Sequence, residues 1–67
     1  MYIETIKEFS GFVIGYLEHL DNGDVVAKKF SGVVLGRYEK ASNATKDFYG
    51  RILYYGNVAS ALLILNK

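Results

Sequence analysis

Residues 28–39 read KKFSGVVLGRYE, and the same twelve-residue unit stands at 7–18 (KEFSGFVIGYLE) and at 46–57 (KDFYGRILYYGN). The copies at 7–18 and 28–39 agree at seven of twelve positions, and all three keep the Lys, the Phe and the first Gly. Steps of 21 and 18 residues are too short for a helix-pair repeat and suit a β-hairpin plus its connection. Each unit then reads as a strand, a two-residue turn (Ser10-Gly11, Ser31-Gly32 or Tyr49-Gly50) and a second strand. A residue that tolerates positive φ followed by Gly suits the primed turns whose twist matches a hairpin. Between the first two units lies Asp21-Asn22-Gly23-Asp24, the strongest turn signal in the chain, and between the last two lies Ala41-Ser42-Asn43-Ala44.

These turns predict six strands over 2–9, 12–20, 24–30, 33–39, 44–48 and 51–55. Connections this short, with no helix between them, require antiparallel neighbours. The expected fold is all-β: one domain over 1–67, an antiparallel meander of three tandem β-hairpins in a radial or barrel-like arrangement. Unbroken alternation places Val13, Val34 and Ile52 on one face with Gly15, Gly36 and Tyr54, and makes both faces apolar. Gly15 and Gly36 occupy one repeat position and mark a bend or a close backbone approach. Tyr54 replaces them in the third unit, where it is expected to fill the space that they leave. The tail, VASALLIL over 58–65, follows Asn57, a good N-cap, and its Ala and Leu favour a short helix. A buried strand over 57–65 is the alternative, because periodicity does not separate the two over so short a run.

Composition narrows the function. A chain of 67 residues builds only a marginal core, and small scaffolds compensate with disulfides, a metal or oligomerisation. There is no Cys and one His, His19, so disulfides, thiolate sites and multi-histidine metal sites are excluded and no cofactor is expected. Ten aromatics, six Tyr and four Phe, exceed what such a core holds, so a homo-oligomer or a protein partner is the expected cover. A net charge of +1 implies no strong field for nucleic acid or an anionic membrane. No apolar run approaches a spanning helix, and the first residues carry acids without the apolar stretch of a secretory signal. We expect a cytoplasmic protein without a membrane partner.

The pattern Phe9-Ser10-Gly11 with Gly15-Tyr16, Phe30-Ser31-Gly32 with Gly36-Arg37, and Phe48-Tyr49-Gly50-Arg51 resembles the tandem repeats of small bacterial β-flower proteins. The resemblance spans residues 7–57 and implies radially arranged hairpins. The family's pattern has four units, of which three are present here, and it implies no activity.

Candidate chemistry is sparse. His19 has no second His or Cys to work with and reads as an exposed strand-end residue. Glu18, Asp21, Asp24 and Glu39 fall at turns and strand ends, where solvated charge is ordinary. Asp21-Asn22-Gly23-Asp24 lacks the twelve-residue spacing and closing Glu of a calcium loop. No glycine pattern opens a phosphate-binding helix. We therefore expect a non-catalytic protein–protein interaction module that self-associates, in the role of an adaptor or an inhibitor of a host factor, as in bacterial or phage proteins of this size. Tyr16, Tyr38, Tyr55, Leu62, Leu63 and Leu65 are the candidate interface. The alternative is a nucleic-acid-binding β module using Lys7, Lys28, Lys46, Arg37 and Arg51 beside the tyrosines. Acidic neighbours at Glu8, Glu18, Glu39 and Asp47 weaken it.

Overall fold

The computed structural model describes residues 1–66. Strands β1 (Tyr2–Lys7), β2 (Val13–His19), β3 (Val25–Lys29), β4 (Val34–Glu39), β5 (Ala44–Asp47) and β6 (Ile52–Tyr55) form one antiparallel sheet in chain order. Helix α1 (Ala59–Leu65) packs across β2, β3 and β4 on one face. All six predicted strands are present, trimmed at either end by no more than two residues, and the tail is a helix rather than a strand. The barrel-like or radial expectation is corrected: β1 and β6 do not pair, and the sheet stays open. The side chains that a barrel would turn inward meet α1 instead.

The turns also differ from expectation. Glu8 N–H donates to the Phe12 carbonyl (2.9 Å), Gly11 N–H donates to the Glu8 carbonyl (2.8 Å), and Gly11 takes φ +96°. This is a three-residue loop closed by a left-handed glycine, not a two-residue primed turn. The pattern recurs with Gly23, Gly32 and Gly50. In the fourth turn along the chain Asn43 (φ +51°) takes the glycine's place, as Asn tolerates that region better than most side chains.

A second feature is copied with the repeat. Ile6 pairs with Gly15 but Lys7 pairs with Val13, so Ile14 is an extra, bulged residue. Leu35 and Leu53 are the extra residues at the same position of the other two units. The bulge ends the alternation: Val13, Val34 and Ile52 pair with Lys7, Lys28 and Lys46 and turn away from the face that holds Gly15, Gly36 and Tyr54. The freed Ile14 and Leu35 pack against the core. The opposite face is consequently mixed rather than apolar: between Val13, Val26, Val34 and Ile52, Glu18 pairs with Lys28 (2.6 Å), Asp24 with Arg37 (2.7 Å) and Glu39 with Lys46 (2.6 Å). Arg37 and Lys46 are directly opposed across β4 and β5, an arrangement of like charges that Asp24 and Glu39 offset.

The core is small: Leu17, Val25 and Ala27 from the sheet meet Ala59, Leu62 and Leu63 from α1. Leu62 sits over Gly36 and Leu63 over Gly15. A Cβ on Gly15 would overlap the Lys28 carbonyl and the Leu63 side chain; one on Gly36 would overlap the Lys46 carbonyl and stand 2.9 Å from Leu62 Cδ1. The two glycines are therefore the seat of the helix. Tyr54 does not fill the equivalent space: α1 packs over β2, β3 and β4, and the Tyr54 ring is exposed. At the other end of α1, the hydroxyl of the buried Thr45 donates to the Gly56 carbonyl (2.6 Å) and accepts from Val58 N–H (3.1 Å). Val58, not Asn57, occupies the cap position, and Asn57 Oδ1 instead accepts from Ala59 N–H (3.2 Å).

Candidate interaction surface

A core of this size leaves most large apolar side chains outside it. All four Phe are exposed, as are four consecutive residues of the edge strand β6: Ile52, Leu53, Tyr54 and Tyr55, the last at 69%. Charge, Pro and a covering loop usually protect such an edge. β6 carries neither charge nor Pro. Gly56 N–H donates to the Asn43 carbonyl (2.7 Å), so the adjoining Ala44–Tyr55 pair is of the non-hydrogen-bonded kind and Tyr55 directs its own N–H and C=O outward. In the first two units the bulged aliphatic residue lies under α1; in the third, Leu53 is 52% exposed.

The predicted interface residues separate into three groups. Leu62 and Leu63 face the sheet and belong to the intramolecular core. Tyr16 and Tyr38 are half-buried, and the Tyr38 hydroxyl donates to Asn43 Oδ1 (2.8 Å). Tyr55 and Leu65 remain on the surface. Sequence reasoning missed Ile52, Leu53 and Tyr54. The signal was present in the uncharged run between Arg51 and Asn57 and in the exchange of Gly for Tyr at position 54.

The candidate nucleic-acid contacts are mostly neutralised. Lys28, Lys46, Arg37 and Arg51 each lie on a carboxylate, the last 3.0 Å from Asp47, and of these five candidates Lys7 alone has no ion pair among the described residues. His19 is not an exposed residue: its ring stacks on Tyr2 (4.3 Å between centroids) and its Nε2 lies 2.9 Å from Glu4. Among the described residues no group of three His, Cys, Asp or Glu is placed to hold a metal, and no helix is long and apolar enough to cross a membrane. The chain matches no protein-family model, no curated protein and no solved structure.

Two carboxylates serve the turns. The Lys40 backbone N–H, followed by Arg37, holds Asp24 below the ordinary carboxylate range against an opposing effect of burial. The Arg51 backbone N–H does the same for Asp47, helped by the Arg51 side chain and Tyr49 N–H. A pKa depressed on folding stabilises the native state above the unfolded value, about 3.9, and that stabilisation is lost as pH falls through the lower native value. Unfolding followed by circular dichroism is therefore expected to become pH-dependent below about pH 4. Asp24→Asn and Asp47→Asn together should flatten that dependence.

Proposed function

We propose that this chain is a small non-catalytic interaction module that self-associates by pairing β6 with β6 of a second copy. The observation that carries the reading is the uncovered edge: four adjacent large apolar side chains beside a backbone whose outward hydrogen-bonding groups have no neighbouring strand. A two-fold pairing of like edges continues the antiparallel order, satisfies those groups and shelters the tyrosines. The repeat supports the second copy as occupant, because Ile14 and Leu35 are already covered within the chain and Leu53 is the equivalent left over. A strand supplied by a host protein would use the same edge, and an adaptor or inhibitor role takes that form. The likeness to the β-flower proteins lies in the tandem repeat of residues 7–57 and not in the open sheet, and it adds no activity to this reading.

Light scattering on the eluting protein tests the proposal. The expected mass is a multiple of 7.5 kDa. Leu53→Lys with Tyr55→Lys should return the particle to a single chain with its circular dichroism unchanged, since both side chains lie outside the core. A single-chain mass for the unsubstituted protein at every concentration would sink the proposal, and a multimer indifferent to both lysines would move the contact away from β6.

A further inference from the structure

The meander places the β1–β2, β3–β4 and β5–β6 turns at one end of the sheet, and these are the turns that the repeat copies. Each presents its Phe to solvent: Phe9 at 109% exposure, Phe30 at 68% and Phe48 at 66%, with Phe12 and Tyr49 beside them. The opposite end, at the Leu20–Asp24 and Lys40–Asn43 turns, has no aromatic residue at its tips and carries Asp21, Asn22 and Lys40. The aromatic end is also the cationic one. Lys7 and Lys29 stand at the strand ends there without an ion pair among the described residues; Asp47 is paired with Arg51, and Glu8, which accepts from Ser10 Oγ (3.0 Å), keeps its charge and offsets one of the two lysines.

We propose that this aromatic rim docks on an anionic phospholipid surface, with the three Phe inserted and Lys7 and Lys29 at headgroup level. Three protruding tips, two strand spacings or about 10 Å apart, would need three matched sockets in a folded partner. A fluid interface accepts them at any spacing, and sheet twist of about 20–25° per strand only tilts the outer tips by about 45° from the middle one. Aromatic rings flanked by Lys suit the boundary between headgroups and acyl chains. The net charge of +1 is too small for long-range attraction, so the rings anchor the contact and the two lysines select the lipid. This docking is independent of the β6 edge, which the rim leaves free.

Cosedimentation with phosphatidylcholine vesicles, with and without phosphatidylserine, tests it. Binding is expected only, or far more strongly, with phosphatidylserine. Phe9→Ser, Phe30→Ser and Phe48→Ser combined should lower binding by tenfold or more with the fold intact, because none of the three rings is in the core. Lys7→Gln and Lys29→Gln should each lower it about fivefold. Because the chain has no Trp, Phe30→Trp adds a single reporter whose emission should shift to the blue on vesicles. No binding to either vesicle, binding unaffected by the triple substitution, or a change in oligomeric mass caused by the triple substitution would each overturn the proposal; the last would assign the rim to self-association.

Discussion

Gly15→Ala is expected to destabilise the protein by about 3 kcal/mol, a large part of what a domain of this size possesses. The added methyl overlaps two groups of different kind: the Lys28 carbonyl, fixed in the β2–β3 ladder, and the Leu63 side chain, the most completely buried leucine of the helix at 1% exposure. The carbonyl overlap can be relieved only by distorting the pairing of β2 with β3, and the leucine overlap only by lifting the helix. Urea midpoints at one fixed protein concentration measure the effect, since association contributes to apparent stability. Leu63→Ala alone should cost about 2–4 kcal/mol. The double variant should cost less than the sum of the two, because removing the leucine relieves half of the overlap. Strict additivity, or a Gly15→Ala protein within about 0.5 kcal/mol of the parent, would show that α1 is not seated on this glycine.

Thr45→Val should cost about 2–3 kcal/mol, although it preserves volume and strand propensity. The hydroxyl serves two backbone groups in the link between β6 and α1, donating to Gly56 and accepting from Val58, in a residue with no exposed surface. Valine leaves a carbonyl and an N–H without those partners in a partly buried place, and the loss of both exceeds that of an ordinary hydrogen bond. Thr45→Ser keeps the hydroxyl and should recover most of the difference. Equal midpoints for the Val and Ser variants would assign Thr45 a packing role only.

Much of this architecture was legible because the repeat is written in turn residues. Gly11, Gly32 and Gly50, with Asn22-Gly23 between the first two units, located four of the five turns between strands by their need for positive φ or for a local side-chain bond. What alternation could not supply was the bulge. Ile14, Leu35 and Leu53 look like ordinary strand residues in sequence, and nothing in their type marks an extra residue that reverses the faces. The consequence reached the second side of the sheet, where Val13, Val34 and Ile52 were assigned to the wrong face and the Glu18–Lys28 and Glu39–Lys46 pairs between them were hidden among scattered charges. Helix placement was equally illegible. Leu62 and Leu63 read as surface-seeking partners for another chain until Gly15 and Gly36 are seen to be their sockets. The exposed β6 was half legible, since Ile52 to Tyr55 lack charge, but exposure depends on how far α1 reaches across the sheet, and that is a tertiary fact.

The strict succession of the strands also governs how this molecule is made. Every ladder joins segments adjacent along the chain, so ring closures are short and the entropy lost before each is rewarded is small. Docking of α1 is different: its socket exists only once three strands are in register. Docking of α1 thus follows assembly of the sheet, and until then the sheet shows its glycines and the helix its waiting leucines to solvent.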